Sequence, residues 1–432
     1  MRVRQLQILI LSILALVTPA AAQQRQDSVI VSLITCYPGP EIYELCGHEA
    51  IRVRGFHNGE FVDSVWNYGI FDFAQPNFVY RFVKGETDYK LASYPFAFFM
   101  PEYQEAGRRV VEQDLNLTQE EARRLLALLR TEALPQNATY RYNYVKDNCA
   151  TRVVDRLDQA AGERVVYPDS VHYGTFRREM RAYHRDYPWY QFGIDLALGS
   201  GLDYPLRGRE EMFVPLELMR KAANAHLADG RPLVRETRIL NDGVADATSG
   251  PTPWYFTPLF CCWIFFAVSM AVCLWQWRKQ KLLRWFYTFW YGLLGLTGCL
   301  TAFLVFVSSH EATSPNMLLL WLNPLQLVVA LCVWGGVKSH AAATAMNYVD
   351  IIVLTILLIV WPFQPQSANR AFFPLMLSTL ALSATYAIIN SKISLKNNNE
   401  EVSHLGAGRR NGPGSNRANG IRPTKTRGRN RR

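Results

Sequence analysis

From Pro253 onward the apolar residues of this 432-residue chain gather in blocks, whereas before it they are interleaved with charges at the spacings of a soluble fold. The blocks lie at roughly 254–276, 285–307, 317–336, 348–362 and 371–390. A helix needs about 20 apolar residues to cross hydrocarbon, so the pattern predicts five spans, the fourth being the shortest. Asn323-Pro324 inside the third predicts a kink. Trp254, Tyr255, Phe256 and Trp263 crowd the first, as anchors at a membrane interface do. In the front half, Ser28–Cys36 (SVIVSLITC) is apolar and β-branched and reads as a buried strand. His48–Gly55 alternates, Asn58-Gly59 marks a tight hairpin turn, and Phe61–Phe73 forms the return strand. Thr118-Gln119-Glu120-Glu121 is a capping box ahead of Ala122, Leu125, Leu126, Leu128 and Leu129. A second helix is predicted from Asp147-Asn148-Cys149, with Ala150, Val153, Val154, Leu157 and Ala161 on one face. The mixture is an α+β domain; Tyr167–Leu216 has few regular periods and predicts no element.

Charge adds orientation. Ser391–Arg432 holds eleven Lys and Arg against two Glu, so nine of the ten net positive charges sit in a Gly/Asn/Arg-rich tail that reads as disordered. The rest of the chain is close to neutral, which removes the case for a nucleic-acid-binding domain. Arg2 and Arg4, an apolar Leu6–Val17 and the small residues Ala20-Ala21-Ala22 form the pattern of a secretory signal peptide over 1–22. Arg278, Lys279, Lys281 and Arg284 crowd the first loop between spans, and Lys338 the third; Ser308–Asn316 has no Lys or Arg and Gln364–Arg370 one. Positive loops face the cytoplasm, which places the tail there, and an exported front half then needs an odd number of spans. Five is odd. The expected organisation is signal peptide 1–22, exported domain 23–250, transmembrane region 251–390 and cytoplasmic tail 391–432.

Phosphate-loop, dinucleotide, H-E-x-x-H and G-x-S-x-G signatures are missing, and no C-x-x-C pair lies in the exported part, so neither metal nor cofactor is expected. What remains is a thiol. The exported segment carries Cys36, Cys46 and Cys149, an odd count. Cys36 and Cys46 flank Pro38-Gly39-Pro40 and could pair, leaving Cys149 free at a helix N-terminus, where unsatisfied N–H groups and the dipole favour thiolate. Such a nucleophile needs a base and a group to orient it. His48, at the head of a strand after Gly47, and Asn67, on the paired strand, are the candidates. His57, His172 and His184 are weaker ones. Sequons at Asn116 and Asn137 carry little weight.

The segments SLITCYPGPEIYELCGHEAIRV, WNYGIFDF, YRYNYVKDNCATRVVD, WYQFGIDLALG and EMFVPLELM, in order over about Ser28 to Met219, resemble the periplasmic domain of bacterial lipoprotein N-acyltransferases of the Lnb type. Asn148-Cys149 downstream of Gly47-His48 also resembles, more distantly, the permuted papain-like arrangement of NlpC/P60 and lecithin–retinol acyltransferase proteins. The resemblance implies an α+β papain-like (permuted NlpC/P60-like) exported domain followed by an all-α five-helix transmembrane region, in the bacterial inner membrane. It assigns the family's His to His48 and its helix Cys to Cys149; Cys46 stands where the family carries an aromatic. It implies acyl transfer from a phospholipid donor, through a Cys149 thioester, to the N-terminal lipidated cysteine of a lipoprotein acceptor. The oxyanion donors would be the Cys149 N–H plus Tyr68 or Asn67. Two other readings stand beside it: a periplasmic cysteine peptidase or amidase using water, and a non-catalytic envelope-binding protein with Cys149 as core.

Overall fold

The computed structural model describes residues 27–162, 165–168, 174–245 and 250–410. The signal peptide, His172 and residues 411–432 of the tail lie outside them. Seven strands form one antiparallel sheet in the order β6-β4-β3-β2-β1-β5-β9: β1 (Ser28–Cys36), β2 (His48–His57), β3 (Glu60–Ile70), β4 (Asp88–Pro95), β5 (Val110–Leu115), β6 (Thr139–Arg141) and β9 (Val234–Asn241). A two-stranded ribbon, β7 (Val165–Val166) with β8 (His226–Leu227), lies apart. The β2–β3 turn is the expected one: Asn58 and Gly59 both take positive φ (54° and 77°), which matches the twist of the strands they join.

The predicted helices α3 (Gln119–Glu132) and α4 (Cys149–Ala160) pack on one face of this sheet. They enclose a core of Leu33, Ile51, Val53, Trp66, Leu125, Val153, Val154 and Leu157. Thr118 and Glu121 close the predicted capping box reciprocally. Alternation sends the neighbouring residues Ile34, Cys36, Ala50 and Val65 to the opposite face, against Phe99, Met100 and Tyr103 around helix α2 (Met100–Glu105). The stretch that gave no sequence pattern holds α5 (Phe176–Tyr183) and α6 (Pro188–Ala197), α7 (Pro215–Ala223) begins at its end, and α1 (Phe78–Lys84) follows β3.

The carboxy-terminal half is helical. Among the described residues four helices are long and apolar enough to cross a membrane: α8 (Pro258–Lys279), α9 (Arg284–Phe306), α11 (Val337–Val360, with the span reaching Phe363) and Phe372–Ile393, the first part of α12 (Phe372–Arg410). Three expectations are corrected. Residues 391–410, expected within a disordered tail, continue α12 as helix to Arg410. The third block is no continuous helix: a 3-10 turn at Met317–Leu320 and the short α10 (Gln326–Cys332) flank Asn323-Pro324, which breaks the hydrogen-bond ladder. That broken piece fits closely against α9, because a side-chain carbon on Gly298 would lie 2.4 Å from the Asn323 backbone. The fourth block begins at Val337 rather than 348. Its first turns carry Lys338, Ser339, His340 and Thr344, which hid it from a hydropathy reading.

Contacts at the two ends of the bundle show how the segments alternate. Trp189 Nε1 donates to Phe256 O just before α8, His310 Nε2 bonds Phe82 O just after α9, Asn316 Nδ2 donates to Leu196 O, and Gln366 Nε2, between α11 and α12, donates to Leu198 O. These points all touch the front domain. At the other end Trp334 Nε1 donates to Thr288 Oγ1 near the start of α9. The chain therefore traverses the bundle five times, the third time through the broken segment.

Candidate functional site

Asn148 fixes the start of α4. Its side-chain oxygen accepts from Ala150 N and Thr151 N at 2.9 and 3.0 Å, Thr151 Oγ1 accepts from Asn148 N at 2.8 Å, and its amide donates to the carbonyls of Tyr144 and Phe213, both at 2.8 Å. The first helical residue is Cys149, 8% exposed. Burial pushes its thiol up to about 11, against the downward pull of the N–H groups of Glu49, Ala150 and Cys149 itself. The expectation that the helix N-terminus yields a resting thiolate is corrected: in the closed site desolvation outweighs the dipole. Cys149 should consequently react with iodoacetamide at pH 8 about 100-fold more slowly than an exposed cysteine, since its thiolate fraction is lower by that factor; a rate within a few-fold of a model thiol contradicts this.

His48 Nε2 donates to Asn67 Oδ1 at 2.6 Å, and Asn67 Nδ2 donates to Tyr94 OH at 2.8 Å, so the amide is locked on both sides. The expected base and orienting residue are thus together, and Nδ1 of His48 keeps the lone pair. Burial holds the His48 pKa below the ordinary imidazole value, with the Asn67 bond acting the other way. Cys149 is not joined to this pair: among the described residues no hydrogen bond links its sulfur to His48. The register explains it. Ala50 faces Asn67 across β2 and β3, and alternation puts His48 on that same face. Glu49 and Ile51 point the other way, and Ile51 packs in the core that holds α4 and Cys149. Nucleophile and base flank the peptide between His48 and Glu49 from opposite sides. Glu49 itself is fully buried; burial raises its carboxyl well above the usual range, and Oε2 accepts from Thr35 Oγ1 at 2.9 Å.

The remaining expectations fare variously. Tyr68 OH donates to Glu132 and Asn67 is committed to His48 and Tyr94, so neither side chain stands ready as an oxyanion donor. The Glu49 N–H, which sequence could not single out, faces the sulfur instead. Cys36 and Cys46 are both free thiols. Cys36 is entirely buried at the end of β1, while Cys46 Sγ is turned to Tyr144 OH at 3.2 Å. Tyr144 OH in turn lies 3.3 Å from Nε2 of the fully buried His184, whose Nδ1 bonds Gln191 Oε1 at 2.8 Å. His57 sits at the far end of β2, beside the hairpin turn.

A family model of the Lnb N-terminal periplasmic domain matches residues 18–178, and one of the Lnb transmembrane domain matches residues 251–393. The chain belongs to the Lnb family. Comparisons with curated proteins and with solved structures return no match. This Lnb protein is accordingly a membrane protein with an N-terminal periplasmic domain. The α+β domain with an antiparallel sheet and the helical region after it have the fold class expected from sequence. The matched transmembrane region is docked on the front half through polar contacts: Glu311 pairs with Lys146 of the matched periplasmic segment at 2.5 Å, and Asn369 Nδ2 donates at 2.9 Å to Asp195, which lies beyond the end of that segment.

Proposed function

We propose that this Lnb protein is a thiol acyltransferase that moves an acyl chain from a membrane phospholipid to the N-terminal lipidated cysteine of a lipoprotein. Family membership supports a lipoprotein-processing enzyme. The observation that carries the chemistry is the Cys149 thiol, held at a capped helix N-terminus among backbone N–H donors, one peptide away from an imidazole already oriented by an amide. The Lys and Arg at the far end of the bundle face the cytoplasm of a bacterial inner membrane and the basic tail continues there, with the domain outside.

In the first half-reaction the Cys149 S–H proton passes to His48 Nδ1 as sulfur attacks the ester carbonyl carbon. The N–H groups of Cys149 and Glu49 stabilise the oxyanion. The bond from carbon to the glycerol oxygen breaks, and that oxygen takes the proton from His48, leaving a thioester and a lysophospholipid. In the second, the α-amine of the lipidated cysteine attacks the thioester and loses a proton to His48; an amide forms and the proton returns to sulfur. Both groups rest neutral and on opposite sides of β2, so the transfer requires the His48 ring, on the first residue of that strand and next to Gly47 with its positive φ of 78°, to turn from Asn67 toward the sulfur in the complex.

The test is full-length protein in phospholipid vesicles with a diacylglyceryl lipopeptide, read by product mass. A mass gain of one acyl chain on the lipopeptide is expected; release of free fatty acid without amide product would favour the water-using hydrolase. His48 must be neutral to act, so the rate should stay flat above pH 6.5 and fall only on further acidification. Asn67→Ala should cost about 10–100-fold in kcat, and Asn67→Asp should move the acid limb upward, because a carboxylate favours the imidazolium. An acid limb unmoved by Asn67→Asp, with loss confined to His184→Ala, would transfer the base to His184.

A further inference from the structure

We infer that a second built feature of this chain is a phosphate-binding cavity at the level of the outer lipid headgroups, which seats the headgroup of the acyl donor. The inference deepens the acyltransferase reading and rests on it for the donor's role, though not for the binding itself. A cavity of about 330 Å³ opens between the periplasmic domain and the bundle. Its walls come from three places: α5, α6 and the connection between them (Arg181, His184, Arg185, Gln191), the cap and first turn of α8 (Thr257 to Leu259), and the segment entering α12 (Ala368 to Arg370). The last two are the domain-side ends of membrane spans. Trp254, Tyr255 and Phe256 stand exposed just ahead of α8, as aromatic residues do where hydrocarbon gives way to headgroups.

The charge of the lining is positive. Arg181, Arg185 and Arg370 face Asp195 alone among the acidic residues of the lining. Both Asp195 oxygens are already occupied, one by Arg177 and the other by Arg181 and Asn369. Arg181 is braced further by Ser367, at 2.9 Å to its hydroxyl, and Arg185 pairs with Asp186 at 3.6 Å. Arg370 is exposed and makes no hydrogen bond or ion pair among the described residues. A guanidinium fork of this kind is the group that best matches a phosphate.

The decisive detail is Gln191. It is 7% exposed and lines the cavity, its oxygen is committed to His184 Nδ1, and its Nε2 has no acceptor. A buried N–H donor without a partner costs free energy that an acceptor oxygen recovers. Since the carboxylate at hand is already bonded, the missing acceptor is an oxygen brought by a ligand. Cationic forks, a donor without a partner, the cap of a 22-residue helix and a position between two spans together describe the seat of a phosphate. His184, which holds Gln191, continues through Tyr144 to Cys46. Cys149 raises the Cys46 thiol through space, so a chain of hydrogen bonds runs from the cavity wall to a thiol in the neighbourhood of the nucleophile.

The experiment uses the full chain carrying Cys149→Ser, so that chemistry and binding are separated. A phosphatidylglycerol with a photoreactive headgroup is incorporated in vesicles and cross-linked, and the site is mapped by peptide mass. Labelling of the α5–α6 or 368–370 segments is expected, with a drop of about tenfold in Arg370→Glu and recovery in Arg370→Lys. A second arm adds inorganic phosphate alone in detergent and follows protection of these segments against hydrogen exchange. Lipid capture at the cavity identifies a headgroup; protection by phosphate with lipid labelling elsewhere identifies a free phosphate at the same site. Labelling indifferent to Arg370→Glu, with no protection by phosphate, overturns the inference. Intact capture by the Cys149→Ser chain, with no acyl transfer by the wild-type chain in the same vesicles, would count against the acyltransferase reading only.

Discussion

A full-length chain carrying Cys149→Ser loses acyl transfer by at least about 10³-fold while keeping its thermal transition. Two effects set the size. Oxygen is the poorer nucleophile here, because a serine hydroxyl has no comparable access to its anion and the proposed base works on a neutral partner. Residues that act as a unit also lose most of the activity when one is removed, leaving what binding and oxyanion stabilisation supply alone. The fold should tolerate the change, since the cap that defines α4 belongs to Asn148 and Thr151 rather than to Cys149. Wild-type protein quenched during turnover should carry one acyl chain, removed by neutral hydroxylamine, on the peptide containing Cys149. A hydroxylamine-sensitive acyl chain mapped to Cys36 or Cys46 would move the nucleophile to the first strands.

Arg177→Ala should lower the unfolding temperature of the periplasmic domain by about 10 °C, an effect unconnected with catalysis. Arg177 is 1% exposed; its guanidinium pairs with Asp195 at 3.0 Å and Asp203 at 2.9 Å and donates to the carbonyls of Leu198 and Gly199. Removing it leaves two buried carboxylates without their main countercharge, and breaking a buried pair from one side costs about 3–5 kcal/mol. For a domain of this size each kcal/mol is worth about 2–4 °C. Asp195 also accepts from Arg181 and from Asn369 of the transmembrane region, so the loss should spread to the junction. Hydrogen exchange over 188–203 and 366–370 would reveal that spread. A transition within 2 °C of wild type, with unchanged exchange, contradicts the assignment.

What sequence made legible, and what it hid, follows the physics of each segment. The β1–β3 core and both long helices of the domain were readable because turn chemistry at Asn58-Gly59 and capping at Thr118 and Asn148 are local, and the apolar faces behind them are uninterrupted. The stretch after Tyr167 was opaque for the opposite reason. Its helices bury Arg177, His184, Gln191 and Asp195, and a core held together by charges and amides has no apolar period to detect. The fourth span was set too short by the same blindness. Asn347 and Asp350 lie inside it and are buried, turned to Tyr291 and Gln326 of neighbouring segments.

At the site, residue types were easier to read than faces. His48 and Asn67 are paired as their strands suggested, but the inference that a helix-end thiol rests ionised overlooked the cost of burying it. Which side of β2 each group occupies depends on a register that composition does not reveal. The Glu49 N–H and the Tyr144–His184–Gln191 chain depend on tertiary contacts between segments far apart in sequence, and no local signal marks them.

The central claim is that Cys149 carries an acyl chain to a lipoprotein, and intact mass of a reporter lipoprotein tests it most directly. Cells that rely on this protein would be compared with wild-type, Cys149→Ser and Cys36→Ser chains. A third acyl chain with wild type and Cys36→Ser, absent with Cys149→Ser, is the predicted result. An unchanged reporter mass across all three strains would contradict the account.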